Sequence, residues 1–227
     1  NSAWIEIPFS FLITLVMLFM LNDELIFGAS GNVLTYLEGL VLLSLFGVFL
    51  FYVFKNMQKT GDSAELEELE VYSPTKMALM IGGGMIGLGI GGALIVENAV
   101  IVAEEFEVSK KLIGLTLLAA GTSLPELATT AVASFQKKSD IAIGNIIGSN
   151  IFNILLVLSI SSIVKSMPYN TELNTDIIII LVGTLMLFLF NFTFKRYRLD
   201  RIESALYLLG FFVYMFYLFY REQQVLF

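Results

Sequence analysis

Glu126 is a carboxylate set in a long apolar run, and Thr122 stands four residues before it, one helical turn away. Ser123 and Pro125 lie between them. Proline has no N–H and its ring clashes with the carbonyl four residues back, so a helix through Gly121-Thr122-Ser123-Leu124-Pro125-Glu126 must bend and leave carbonyls near Gly121 without donors. Carboxylate, hydroxyl and carbonyl oxygens around a helix break are ligands for a hard cation. A second polar series follows, in which Asn145, Ser149 and Asn153 recur every four residues and Gly144 and Gly148 run beside them. Glycines at this spacing let helix backbones approach closely in lipid, so Ser149 and Asn153 are expected to come towards Thr122 and Glu126. The chain has no His and no Cys, which disfavours zinc and copper and leaves Ca2+, Na+ or K+. Glu126 alone sets one negative charge against the two positive charges of Ca2+. The residues therefore read as half of a cage.

Each feature has a plainer reading. Any one Asn or Ser could simply bond between helices, worth ~0.6 kcal/mol on average in membranes. A carboxylate near the midplane costs ~2.5 kcal/mol or more, so for Glu126 the competitor is a protonated structural Glu. Glu97-Asn98 is less telling, because it falls at the end of its expected span, where a side chain can snorkel to the interface.

The elements that must position these groups are membrane helices. Of 227 residues, 57% are hydrophobic and only 15% charged, with a mean hydropathy of +0.82, which excludes an ordinary soluble domain. A span needs ~20 mostly apolar residues. The sequence offers seven: Ile7 to Asn22, Leu34 to Phe54, Met77 to Val96, Leu112 to Ser134, Ile141 to Val164, Ile177 to Phe194 and Ile202 to Tyr220. No period-two alternation marks barrel strands, so an all-α polytopic protein of the cell membrane is expected. Of the 13 Lys and Arg, nine collect on one side (Lys55, Lys59, Lys76, Lys137, Lys138, Lys195, Arg196, Arg198 and Arg201) and four on the other (Lys110, Lys111, Lys165 and Arg221). The connections carrying the nine are expected to be cytoplasmic. The chain begins Asn1-Ser2, without a basic leader, and no signal peptide is expected.

One polar connection, KNMQKTGDSAELEELEVYSPTK, separates two spans from five, giving an expected division into residues 1–55, a linker at 56–75 and residues 76–227. Its Asp62, Glu65, Glu67, Glu68 and Glu70 would repel phosphate, so nucleic acid is not a partner, and their spacing is not that of an EF-hand. The next span crowds Gly82, Gly83, Gly84, Gly87, Gly89, Gly91 and Gly92 together. No strand precedes them, so they are not a dinucleotide fingerprint. Gly84, Gly87 and Gly91 are expected to serve either as a fixed packing face or as one on which neighbouring helices slide.

GTSLPEL, followed after QKKSD by AIGNIIGSNIFNIL, resembles the second α-repeat of the cation/Ca2+ exchanger superfamily, the Na+/Ca2+ exchangers and their bacterial relatives. The EIPF start of the first span, the acidic linker and the Gly-rich span fit the same order of elements. The resemblance implies part of a ten-helix antiporter of two inverted five-helix repeats with a midplane site reached alternately from either side. It places the ion ligands at Glu126, Thr122, Ser123, Ser149 and Asn153, with the Ala119 carbonyl as a further Na+ ligand, and implies Na+ and Ca2+ as transported ions without a resident cofactor. Many relatives have Asp where this chain has Asn153, and in the K+-dependent branch that Asp is tied to K+ transport. The Gly-rich span corresponds to a helix held to slide during alternating access. No second GTSxPE-like motif is present, so on the order of 80 to 100 residues, three spans with short connections, are expected beyond this sequence. The missing first repeat is thus an expected partner, beside lipid. A homodimer is left open, although identical chains with one charge bias insert in one direction and cannot supply an inverted half.

Other classes are weaker. Gly28-Ala29-Ser30-Gly31 looks like a nucleophile motif, but there is no His to act as base. A cation channel lined by the polar stripe, a H+/Ca2+ exchanger using a raised pKa at Glu126, and a purely structural subunit remain as alternatives.

Overall fold

The computed structural model describes residues 3–28, 31–61, 72–108, 113–114, 117, 119–193 and 201–225. The acidic stretch 62–71, the basic stretch 194–200, the start of the fourth expected span at Leu112 and the Ala29-Ser30 pair lie outside these residues. Among the described residues the chain is almost wholly helical: α1 (Ala3–Met20), α2 (Asp23–Phe27), α3 (Tyr36–Gly61), α4 (Pro74–Glu105), α5 (Ala119–Thr122), α6 (Leu124–Phe135), α7 (Ser139–Phe152), a π turn (Asn153–Val157), α8 (Leu158–Val164), α9 (Asn174–Thr193) and α10 (Arg201–Val225). Two short strands, β1 (Val33–Leu34) and β2 (Met167–Pro168), pair antiparallel.

Five stretches among the described residues are long and apolar enough to cross a membrane: Tyr36–Asn56, Pro74–Glu105, Ile141–Val164, Thr171–Phe190 and Ile202–Arg221. They match five of the seven expected spans. The first expected span falls on a shorter apolar helix, Ile5–Met20. The fourth is divided at Ser123 between α5 and α6. The third does not stop at Val96 as expected. It continues to Glu105, 32 residues in all, about 48 Å at 1.5 Å per residue and well beyond a ~30 Å hydrocarbon core. Glu97 and Asn98 therefore sit within a helix, where the Asn98 amide donates to the Leu94 carbonyl at 2.7 Å. Ser73 caps the start of α4, accepting from the Lys76 N–H at 3.3 Å, and Pro74 fills a first-turn position where no N–H is required.

By compactness the chain forms two units that interleave in sequence, 1–67 with 143–201, and 68–142 with 202–227. In the first, α3 packs on α8, α1 on α9, and both α1 and α3 on the π turn. Ile7, Ile13, Leu42, Ile147, Ile151 and Leu155 are almost fully buried there. Phe9 stacks on Phe49 with ring centroids 5.2 Å apart. At Gly39, α3 comes so near to α8 that an added Cβ would collide with the Ser162 hydroxyl and lie 2.9 Å from the Ser159 carbonyl.

One end of this unit is closed by a polar clasp. Asn22 and Asn174 exchange reciprocal amide bonds of 2.9 and 2.7 Å, and the Tyr169 hydroxyl donates to Asn174 Oδ1 at 2.7 Å. Burial, and then the Asp176 carboxylate, push the Tyr169 phenol above its ordinary pKa, so it stays a donor. The Tyr169 N–H bonds to the Asn32 carbonyl at 2.9 Å beside the two-strand ladder. In the second unit α4 packs against α5 and α6.

Candidate cation site

The helix breaks at the point the Pro125 argument requires. α5 ends at Thr122, Ser123 takes φ −96°, ψ 1°, and α6 begins at Leu124 with Pro125 in its first turn. Pro125 cannot donate to the Gly121 carbonyl, whereas at the start of a new helix its missing N–H costs nothing. The Ser123 N–H turns back to the Ala120 carbonyl at 3.1 Å, and the Ser123 carbonyl accepts from Leu127 at 2.9 Å. The Thr129 hydroxyl reaches the Pro125 and Glu126 carbonyls at 2.9 and 3.0 Å and holds the first turn of α6. Glu126, partly buried, lies in that turn, while Thr122 and Ser123 are exposed. Thr122, at the C-terminal end of α5, Ser123 in the break and Glu126 in the first turn of α6 thus follow one another along the chain, with Ala119 at the start of α5.

α4 touches this break directly, through residues the sequence did not single out for it. A Cβ on Gly121 would collide with the Val96 side chain, so Gly121 is needed for this close approach. A Cβ on Gly92 would lie 4.0 Å from the Gly121 carbonyl oxygen and 4.0 Å from Leu124 Cβ. Gly84, Gly87 and Gly91 make no such contact among the described residues. A Cβ at any of them meets nothing within 4 Å among the described residues, and the same is true of Gly144 and Gly148. The close approach of α4 falls at Gly92 and Val96, one turn apart, where the helix meets Gly121 and Leu124. The cluster of seven glycines signals that contact without locating it.

The second polar series lies on α7. Ile147 and Ile151, and Leu155 in the π turn, are buried in the core of the first unit. Asn145, Ser149 and Asn153 fall about 200° round the helix from Ile147, Ile151 and Leu155, two residues at 100° each, and form the opposite face. Asn145 and Ser149 are half-buried and Asn153 exposed. The Ser149 hydroxyl donates to the Ile146 carbonyl at 3.0 Å. At Asn153 the helix widens, with the Leu158 N–H reaching back five residues to the Asn153 carbonyl. Such π turns are rare and often occur at functional sites. Thr122, Ser123 and Glu126 belong to one compact unit, and Asn145, Ser149 and Asn153 to the other.

The family profile described as sodium/calcium exchanger protein matches residues 76–220. The chain belongs to the sodium/calcium exchanger family. CaxA of Alkalimonas amylolytica, provisionally named an antiporter, is 34% identical over 219 residues, 94% of this chain and 67% of its own length. The sodium/calcium exchanger MaX1 of Methanosarcina acetivorans is 39% identical over 110 residues, 48% of this chain and 31% of that protein. The structure of the sodium-calcium exchanger NCX_Mj soaked with 2.5 mM Na+ and 0.1 mM Sr2+ is similar to this chain with a TM-score of 0.70 and 30% identity, covering 94% of this chain and 65% of that one. The chain spans about two thirds or less of the length of these relatives. Both polar motifs fall inside the region matched to the family, and the protein is a multi-pass membrane protein.

Proposed function

We propose that this exchanger-family chain contributes one half of a cation site at which Na+ and Ca2+ are exchanged across the membrane. The observation that carries the reading is the break at Ser123, which sets a carboxylate and two hydroxyls beside a helix end inside an apolar span. Glu126 supplies the charge. Thr122, Ser123 and the Ala119 carbonyl supply neighbouring oxygens, and Ser149 and Asn153 are the further ligands that the family resemblance assigns. Oxygens arranged in this way replace the hydration shell of a hard cation. Na+ and Ca2+ compete because they share ligands, and only a loaded cage allows α4 to move past the break and switch access. A single carboxylate does not balance Ca2+, so the working site includes a further acid from the part of the exchanger that this chain does not span. Support comes from family membership and from the greater length of the relatives.

The test is Ca2+ uptake into Na+-loaded proteoliposomes by this chain joined to a first repeat, beside its Glu126→Gln variant. Uptake is expected to require the Na+ gradient and to fall at least a hundredfold, ~2.7 kcal/mol, in the variant. Uptake driven by a pH gradient without Na+ would make the protein a proton-coupled exchanger, and an active variant would remove Glu126 from the site.

A further inference from the structure

Between α4 and α6 lies an apolar groove of about 370 Å³. It exists because the two helices are pinned at one level and carry little bulk at another. They touch where Gly92 and Val96 meet the Gly121–Leu124 segment. Further along, Gly84 and Leu88 face Ala128 and Ala133 across the groove, and Lys138 and Gln136 line its polar end. Lys138 is held there by its backbone. Lys137 takes the left-handed conformation, φ 60°, and the Lys138 N–H bonds to the Ala133 carbonyl at 2.9 Å, a reversal that closes α6 and is usually left to glycine. The Lys138 carbonyl then accepts from Ala142 at 3.1 Å in the first turn of α7. The lysine is thus fixed from both sides at the groove's end, with its side chain exposed.

We propose that this groove holds an anionic phospholipid, one acyl chain lying between α4 and α6 and the phosphate against Lys138. Position and charge argue for it. α4 buries none of its residues, and Met80, Ile81 and Met85 around Gly84 are exposed among the described residues, so the mouth of the groove is apolar and matches acyl chains. The turn at its polar end, QKKSD, carries two Lys against one Asp, and the Lys/Arg bias puts it on the cytoplasmic side, whose leaflet carries anionic lipid. Acyl methylenes match the apolar walls, and an ammonium at the polar end selects phosphate headgroups with a net negative charge.

The experiment uses the purified chain in a neutral detergent, with phosphatidylglycerol and phosphatidylcholine of identical acyl chains as probes. Lipid retention is read by native mass spectrometry and by the shift in unfolding temperature. Wild type is expected to hold phosphatidylglycerol at least tenfold more tightly than phosphatidylcholine. Lys138→Gln, an exposed change that leaves the walls intact, should abolish that preference while residual lipid still binds. Gly84→Leu, which fills the groove, should weaken both lipids, and Lys165→Gln at the other end of the α7–α8 span should change neither. Equal affinity of the wild type for the two lipids, or an undiminished preference in Lys138→Gln, would overturn the proposal.

Discussion

Asn153 is the residue at which the charge of the proposed cage can be raised without disturbing its frame. It is exposed, stands at the first position of the π turn and bonds through its carbonyl rather than its side chain to Leu158. Asp is nearly isosteric with Asn and adds the carboxylate that Ca2+ wants, because affinity in oxygen cages follows ligand charge. Asn153→Asp is expected to tighten Ca2+ binding by roughly tenfold, ~1.4 kcal/mol, in calorimetric titration. Unchanged affinity would mean that Asn153 does not face the ion. A structural counterpart is Asn174. Its replacement by Ala leaves the Asn22 amide, only 4% exposed, without two of its bonds and takes the acceptor from the Tyr169 hydroxyl. A buried polar group so deprived costs ~1–3 kcal/mol, and thermal unfolding should shift down accordingly while cation binding at Glu126 is unaffected.

Two glycines on long helices make opposite predictions. At Gly39 an added methyl would collide with Ser162 and crowd the Ser159 carbonyl, which is backbone and cannot swing aside. Gly39→Ala should destabilise the first unit by ~1–3 kcal/mol. At Gly83 nothing lies within 4 Å, and Gly→Ala inside α4 should instead stabilise by ~0.4–1 kcal/mol through the unfolded chain. Unfolding midpoints of the two variants, measured together, should move in opposite directions. The contrast marks what the sequence made legible. Pro125 announces a break in any helix, because its missing N–H is covalent and local, and α5 and α6 part at Ser123 as that argument requires. Apolar run length marked the spans for the same reason. A glycine's partner is not local, so the run from Gly82 to Gly92 could not reveal that Gly92 alone of the seven meets the break. The π turn at Asn153 carries no marker residue at all; Asn-Ile-Leu-Leu-Val would serve equally well in an α-helix, and the widening arises where α1 and α3 pack against it. The sequence carries no signal for the extension of α4 to Glu105, because Glu97 and Asn98 read as an interface, although Asn98 satisfies its own amide on the turn before.

Orientation in the membrane is a property of the whole molecule, and the absence of cysteine makes it directly measurable. Gln136, in the turn after α6, and Lys165, just after α8, are both exposed and flank the candidate span Ile141–Val164. A helix of that length, 24 residues, crosses ~30 Å of hydrocarbon once, so the two positions should face opposite compartments. The bias of nine basic residues against four then fixes which is inside, because translocating Lys and Arg is the disfavoured step. Single Gln136→Cys and Lys165→Cys variants, treated in intact cells with a membrane-impermeant maleimide, should differ. Lys165→Cys is expected to be labelled from outside, and Gln136→Cys only after the membrane is opened. Labelling of both from outside would show that α7 and α8 enter and leave on one face, and the polar stripe of Asn145, Ser149 and Asn153 would then not traverse the bilayer. Labelling of Gln136→Cys alone would invert the molecule. It would put the Lys138 groove in the outer leaflet, and it would show that the charge bias of these connections does not set the orientation.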